Sequence, residues 1–385
     1  MLIPPGGSGN ISTYWNAIRA GNPTHIQMDF SAQNVILDDS DISGSDGVTL
    51  TDILNSDSKL TVGKAVCKQL TAKIIVTDKT RNLRWKDRFA LRFGVEISGT
   101  TNWITLGYYN GKKPKNIRDA SEVEFIAYDD MYKFDIDADD FIESLHYPIK
   151  PEPLFRAACA YVGVKALSTP IEPMTVWDTE FSKADLSNFM TLRDILEAIA
   201  EATCTYVKML FNDYCGFVWF ENNTSLITIS RSDEFALERE EQYDAYTWDE
   251  FDTNTWNNYA ITTWDNITNA DQMNYVIEGV YINYNGTGME WPNSLDRKTQ
   301  NIYKIIDNVF VKGMDQSLIR WLYNRLHGAG EQIPISVECV GNWMLESGDI
   351  IKVKTDSNKT VKLPIYSRTL RWAGYPIDIL EIKGE

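Results

Sequence analysis

The side chains that most often carry catalysis are scarce in this sequence. Three histidines occur, His25, His146 and His327, and none has a partner at the spacing of a metal site or a His-Glu-x-x-His helix. The sequence also lacks a Gly-x-Ser-x-Gly nucleophile motif and a glycine-rich phosphate-binding loop. With so little material for acid–base or nucleophilic chemistry, the sequence favours a protein that is not an enzyme and uses no cofactor.

One acidic segment resembles the start of a calcium-binding loop. Asp135, Asp137 and Asp139 have the spacing of the first three ligands of such a loop. However, Asp140 stands where the sharp turn needs glycine, and His146 stands where the bidentate glutamate belongs. We therefore predict no metal site here and interpret the segment as an exposed acidic boundary between domains.

Three tryptophan-centred triplets recur at a fixed step of eight residues. They are Thr247-Trp248-Asp249, Thr255-Trp256-Asn257 and Thr263-Trp264-Asp265. The surrounding tract is rich in acid and amide side chains and poor in aliphatic ones, which is typical of a surface excursion or linker. The indole rings of Trp248, Trp256 and Trp264 are candidate contacts. We expect them to pack on the protein's own domains or on a neighbouring subunit, and stacking on a glycan is the alternative.

Composition narrows the class of protein. The chain has 385 residues, 43% of them hydrophobic, which is enough for two to four domains with sizeable cores. Its formal net charge of -17 opposes stable binding of nucleic acid. The N-terminus lacks the pattern of a secretion signal, and no apolar run is long enough to predict insertion into a membrane. The five scattered cysteines are typical of buried thiols in a reducing cytoplasm.

The hydrophobic period changes along the chain and predicts an α+β, mainly β, protein. Alternation with a period of two dominates 24–140 and returns in 273–385, which predicts half-buried antiparallel strands that fit a barrel or a sandwich. The region 141–231 has helical periodicity and predicts a small α+β domain. An N-terminal arm at 1–23 and the acidic Trp-rich linker or insertion at 232–272 complete the division.

Several local signals predict individual elements. Thr191 followed by Asp194 is a helix start, since Thr191 can serve as the N-cap. A second helix is expected at 315–327 with Gly328 directly after its end. Asn110-Gly111 is typical of a turn between strands.

Dispersed patterns across residues 24–384 resemble the hub proteins at the tips of bacteriophage tails and of related contractile injection particles. No single diagnostic motif carries the likeness. One contributing feature is the turn triplet Ser347-Gly348-Asp349 ahead of an alternating strand. The segments that carry it are Leu60–Leu70, Ile104–Tyr109, Phe125–Met131, Leu192–Ala202, Tyr323–Gly328 and Leu345–Val353.

This resemblance implies that 24–140 and 273–385 are two tube-like antiparallel β-barrel domains. Three chains would then form a homotrimeric ring of six similar barrels on the six-fold tail tube. The implied partners are the tail tube or a distal tail protein, the tape-measure protein, and a spike or wall hydrolase supplied as a separate chain. The expected location is the baseplate or tail tip of a virion or bacteriocin-like particle, after synthesis in the bacterial cytoplasm.

The chain ends at Glu385 directly after its last predicted strand. We therefore expect no C-terminal peptidase or lysozyme domain of the kind that many tip proteins carry. An alternative of a different class stays open: a peptidoglycan- or glycan-active tip protein, either a hydrolase or a sugar-binding module, with the acidic Trp-rich tract as its site.

Deletion of residues 246–265 tests the interpretation of this tract. We expect the shortened chain to stay folded by circular dichroism, because the deleted composition is not that of a core, and to lose an assembly contact. Loss of the native spectrum would mean that the tract belongs to the core. In a parallel experiment, loss of glycan binding on replacing Trp248, Trp256 and Trp264 by Ala would favour the alternative.

Overall fold

The computed structural model describes most of the chain between residues 11 and 382. The described residues are 11–44, 47–55, 61–115, 117, 120–167, 174–220, 228–229, 234–238, 277–296, 301–330, 335–354 and 360–382. Within this part of the chain, no helix is both long and apolar enough to cross a membrane.

The described helices are mostly short and lie between or after strands. They are α1 Ile11–Arg19, α2 Asp78–Arg81, α3 Asp139–Ser144, α4 Pro151–Tyr161, α5 Met174–Asp178, α6 Lys183–Leu186, α7 Leu192–Ala202 and α8 Gln316–Gly330. Short 3-10 turns occur at Ser31–Gln33, Asp39–Asp41, Asp130–Phe134 and Val309–Val311.

The strands make up four sheets, of which one is much larger than the others. The strands are β1 Thr24–Phe30, β2 Val35–Leu37, β3 Val48–Ile53, β4 Gln69–Ile75, β5 Arg88–Ile97, β6 Thr100–Gly111, β7 Glu122–Asp129, β8 Lys165–Ala166, β9 Tyr206–Met209, β10 Tyr214–Val218, β11 Thr228–Ile229, β12 Glu234–Glu238, β13 Gly279–Tyr284, β14 Thr287–Trp291, β15 Ile302–Ile306, β16 Ile335–Val340, β17 Ile350–Lys354, β18 Thr360–Pro364, β19 Ser367–Trp372 and β20 Pro376–Ile382. The large antiparallel sheet has the order β12-β16-β20-β19-β3-β4-β7-β6-β5-β1-β2. The prediction of a mainly β chain with a few helices is confirmed.

The local signals in the sequence give mixed results. Helix α7 starts as predicted: the Thr191 hydroxyl accepts the Asp194 N–H at 3.1 Å, and the Asp194 carboxylate accepts the Thr191 N–H at 2.9 Å. Helix α8 is present, but Gly328 does not end it, since the helix continues to Gly330. The predicted turn at Asn110-Gly111 is also wrong. Both residues belong to β6, because their ladder partners on β7 extend that strand.

The N-terminal and C-terminal strands belong to one sheet. β3 pairs along its whole length with β19, with Leu50 opposite Leu370 and Thr51 opposite Thr369. The two strand-rich regions therefore share a ladder across more than 300 residues of sequence. The division into separate barrels at 24–140 and 273–385 stays a prediction. If it holds, the two barrels are joined by the pairing of β3 with β19.

The seven strands from β19 to β1 wrap around a common core and meet again through side chains. The Trp372 indole N–H donates to the Thr24 hydroxyl oxygen at 3.2 Å, and that hydroxyl donates to the Gly374 carbonyl at 3.2 Å. Inside, Trp343 stacks on Phe93 with the ring centres 5.6 Å apart. The strands thus curl as in a barrel whose seam between β1 and the β19–β20 turn is made by side chains.

A second core lies between the helices and two of the small sheets. Helices α4 and α7 pack on the sheet β8-β10-β9, where Phe155 meets Phe217 with ring centres 4.8 Å apart. The same core continues through Phe310 to the sheet β14-β13-β15 and to Leu322 on helix α8. The described strands of 273–385 belong to three sheets: the large sheet, β14-β13-β15 and β11-β17-β18.

The acidic Trp-rich region 232–272 contributes one described strand, β12, which pairs with β16 at the edge of the large sheet. The three Trp triplets lie outside the described residues.

Candidate functional site

Five ionisable side chains meet in the interior where the two cores join. They are Asp52 on β3, Lys68 just before β4, Asp129 at the end of β7, Lys208 on β9 and Glu346 in the turn between β16 and β17. Each is between 1% and 6% exposed. We call this group the buried charge junction, and it ties together strands from both ends of the chain and from the central region.

Lys208 and Asp52 form the centre of the junction, with four hydrogen bonds each. Its ammonium group donates to both carboxylate oxygens of Asp52 at 2.9 Å, and to the Ser347 carbonyl and hydroxyl oxygens at 2.8 and 2.6 Å. The Ser347 backbone N–H and hydroxyl also donate to Asp52, at 2.9 and 2.7 Å. Because a buried ion pair is stable only when its remaining polar atoms are bonded, this closed set satisfies both charges.

Lys68 forms the second half of the junction. Its ammonium group donates to Glu346 at 3.0 Å, lies 3.9 Å from Asp52, and sits over the Phe211 ring at 3.9 Å. Glu346 also accepts the Phe211 backbone N–H at 3.0 Å. Burial alone would raise the pKa of Asp52, but the ammonium groups of Lys208 and Lys68 outweigh it and hold that pKa well below its usual value.

Asp129 is the one carboxylate of the junction that accepts no hydrogen bond from a lysine ammonium group of the junction. It accepts the backbone N–H groups of Lys68 and Met131, each at 3.1 Å. Burial raises its pKa to about 7, because the nearby charge of Lys68 and the two N–H donors compensate only part of the cost of desolvation. Burial likewise lowers the pKa of Lys208, against the opposing effect of Asp52.

The contact between Ser347 and Lys208 has the residue types of a Ser–Lys catalytic pair, but its environment argues against that chemistry. Ser347 is 3% exposed and Lys208 is 2% exposed, so a substrate has no access to the hydroxyl. The lysine nitrogen also donates to two carboxylate oxygens, which favours the ammonium form over the free base that activation of serine requires. We interpret the junction as a structural site.

A second buried ion pair lies between β19 and β20. The Arg368 guanidinium donates to Asp378 at 2.8 and 3.2 Å and to the Asn342 carbonyl at 2.8 Å, and it also bonds the Leu345 carbonyl. Asp378 in turn accepts the Asn342 N–H at 2.6 Å. This pair anchors the start of the turn that carries Glu346.

The predicted site residues fall into two groups. Trp248, Trp256 and Trp264 lie outside the described residues, so their contact role stays a prediction. In the calcium-like segment, Asp135 pairs with Arg193 and Asp137 accepts the Asp139 N–H at 2.8 Å. No group of three or more metal-ligating side chains occurs among the residues that the structure describes.

The histidines make separate local contacts. His25 lies between Asp39 and Glu96, with nitrogen–oxygen distances of 2.7 and 3.4 Å, and the two carboxylates outweigh burial and raise its pKa. The His327 ring bonds the Ile277 carbonyl at 2.8 Å, and the His146 side chain is exposed.

Sequence reasoning missed the junction. Its members are separated by up to 294 positions, from Asp52 to Glu346, and each looks like an ordinary surface charge in its own segment. The one signal available was the apolar run itself: Lys208 lies in the strand β9, every residue of which is buried, and a charge there requires a partner.

The fold is that of known tail proteins. No protein-family model and no curated protein matches the chain. Among solved structures, the tail protein from Neisseria meningitidis MC58 is 8% identical with a TM-score of 0.56, covering 94% of this chain and 96% of its own. The 43 kDa tail protein of prophage MuSo2 from Shewanella oneidensis is 10% identical with a TM-score of 0.50, covering 94% and 97%.

These neighbours define the class of fold across nearly the whole chain. The resemblance to phage tail proteins that the dispersed sequence patterns predicted is thereby confirmed at the level of the fold.

Replacement of Lys208 by Met tests the junction. We expect the free energy of unfolding to fall by about 3 kcal/mol or more, because the Asp52 carboxylate would remain buried without its main partner. Urea denaturation measures the change. The control Lys304→Met removes an exposed lysine and should stay within about 0.5 kcal/mol of the wild type. Equal stability of the two variants would contradict the assigned role.

Replacement of Asp129 by Asn tests its raised pKa. The folded-state pKa of about 7 exceeds the ordinary value of 3.8, so the stability that Asp129 contributes is complete below about pH 4 and is lost as pH rises through 7. Asn does not ionise, and its amide oxygen can accept the same two N–H donors. We therefore expect the variant to gain about 4 kcal/mol relative to the wild type between pH 4 and pH 8.

Urea denaturation across this pH range measures the difference between the two proteins. The matched control is Asp78→Asn, which makes the same chemical change at a side chain that is 96% exposed and should alter stability by no more than about 0.5 kcal/mol. A constant offset from the wild type for Asp129→Asn would mean that this carboxylate does not titrate near neutral pH.

Proposed function

We propose that this protein is a non-enzymatic structural component of the tip of a phage tail or tail-like injection particle. In this proposal it is a baseplate hub, a homotrimeric ring that joins the tail tube to a distal spike or to a separate wall-degrading protein. The observation that carries the proposal is the likeness in fold to two tail proteins over 94% of the chain.

The barrel-like arrangement supports a role in assembly. In the large sheet every described strand between the edges β12 and β2 is paired on both sides, which limits uncontrolled edge-to-edge pairing in a crowded particle. The junction fixes the C-terminal turn at Ser347 on β3, and the Arg368–Asp378 pair fixes β19 and β20 on the start of that turn. Such internal fixing suits a part that transmits load between neighbouring proteins.

The chemistry of the described residues supports a structural role over catalysis. The strongly shifted pKa values of the buried charge junction belong to groups that are closed off from solvent, whereas catalytic groups need access to a substrate. The remaining partners in the proposal are the tail tube or distal tail protein and the tape-measure protein, with the particle tip as the location.

Light scattering of the purified chain across a salt series tests the proposal. A trimer would have about three times the 43.9 kDa mass of one chain and three times its charge of -17. We expect added salt to favour assembly, because it screens this repulsion over a Debye length of about 10 Å at 0.1 M. A strict monomer at every salt and protein concentration, also after addition of tube or spike protein, would refute the hub.

A further inference from the structure

Two loops that are far apart in sequence form one basic surface on this acidic protein. The carbonyl of Trp85 lies against Gly111 so closely that a Cβ atom there would be 2.3 Å away. Residues 78–88 are therefore beside residues 111–115, and we call them together the basic loop surface. They carry eight basic side chains. Four of them pair with carboxylates: Lys79 with Asp41, Arg81 with Asp78, Arg84 with Asp87 and Arg88 with Asp130. The other four, Lys86, Lys112, Lys113 and Lys115, form no ion pair with a described residue.

The lysines at the outer side of this surface are available to a partner. Lys86, Lys113 and Lys115 are exposed, and none of the three forms an ion pair with a described residue. Lys112 lies over the Tyr128 ring at 4.7 Å, and Arg84 pairs with Asp87 at 2.9 Å. The surface therefore keeps unpaired positive charge while the whole chain has a net charge of -17.

A second surface has the opposite charge and exposed apolar side chains. Residues 132–143 and Met190 form it, because Asp137 and Thr191 make a β-bridge that places Met190 across from Ala138. We call it the acidic apolar surface. Its exposed apolar members are Met190, Tyr132 and Ile136, which are 78%, 41% and 40% exposed. Its exposed acids are Asp135, Asp137, Asp139, Asp140 and Glu143.

We propose that the basic loop surface of one chain binds the acidic apolar surface of a second copy. This inference rests on the proposed function, because it supplies the interface of the homotrimeric ring. The charges are complementary at contact distance, whereas the net repulsion between chains of charge -17 acts over the longer range that added salt screens, so salt favours assembly although the contact itself pairs opposite charges. The exposed apolar side chains near the acids provide area for an interface core. The two surfaces differ, so the contact is heterologous, and such contacts repeated around an axis close into a ring.

The alternative occupant of the basic loop surface is nucleic acid. The net charge of the chain opposes it, since a phosphate backbone approaching the lysines would also meet the field of the surrounding carboxylates. On a second copy, by contrast, the acidic side chains form a local patch that would meet the lysines. Binding would also cover Met190, whose large apolar side chain is otherwise exposed to water.

Charge reversal with rescue tests the interface in the full-length chain. We expect Lys113→Glu with Lys115→Glu to raise the dissociation constant of the oligomer by about tenfold or more, as measured by light scattering over a dilution series. Addition of Asp139→Lys and Asp140→Lys to the same chain should restore assembly. The control Lys304→Glu with Arg320→Glu changes the net charge equally at exposed positions elsewhere and should weaken assembly far less.

Zero-length carbodiimide cross-linking provides a readout that does not depend on the variants. In a mixture of isotope-labelled and unlabelled wild-type chains, we expect cross-links from Lys113 or Lys115 to residues 135–143 that join a labelled to an unlabelled peptide.

The possible results separate the interface from the function. A wild-type oligomer that tolerates the lysine reversal, is equally weakened by the control, or is not rescued would overturn the interface and leave the hub standing. The absence of mixed-label cross-links in an oligomeric sample would also overturn it. A wild-type chain that never assembles would overturn both. Retention of a nucleic-acid duplex that the lysine reversal abolishes would assign the surface to nucleic acid instead.

Discussion

Two lysine ammonium groups and three carboxylates share a space from which water is nearly excluded. An ammonium or a carboxylate that loses its partner there costs several kcal/mol, whereas the assembled set satisfies Lys208, Lys68, Asp52 and Glu346 together. Apolar side chains such as leucine could fill the same volume in many arrangements, whereas these charged groups have their hydrogen-bond partners in only one arrangement. We infer that the junction selects the arrangement in which β3, β9 and the turn at Glu346 meet.

The chain has the fold of the two tail proteins at only 8% and 10% identity. Strand pairing and apolar alternation tolerate wide substitution, because the requirement at most core positions is hydrophobicity and approximate volume. A fold that depends mainly on this pattern requires a specific residue at few positions, so a family model has little sequence to recognise. In this chain, specific polar contacts such as Lys208 with Ser347 add to that pattern and fix the packing of its strands.

What could be predicted from the sequence was local. The start of α7 at Thr191 and the alternation along β7 depend on neighbouring residues, and both were identified correctly. The pairing of β3 with β19 depends on residues more than 300 positions apart, and no local pattern encodes it. Gly328 and Asn110 were misread for a related reason, since tertiary contacts override the ordinary preference of glycine and asparagine for ends and turns.

The ladder between β3 and β19 also sets an order of events during synthesis. Leu50 leaves the ribosome long before its partner Leu370 exists, and at ordinary elongation rates the delay is on the order of tens of seconds. Throughout that time β3 offers an unpaired edge on one side, and Asp52 lacks Lys208 for about the first half of it and the Ser347 turn for most of it. The nascent chain is therefore exposed to aggregation until its last strands emerge, so its yield in cells should depend on chaperones that protect strand edges more than on the stability of the finished protein.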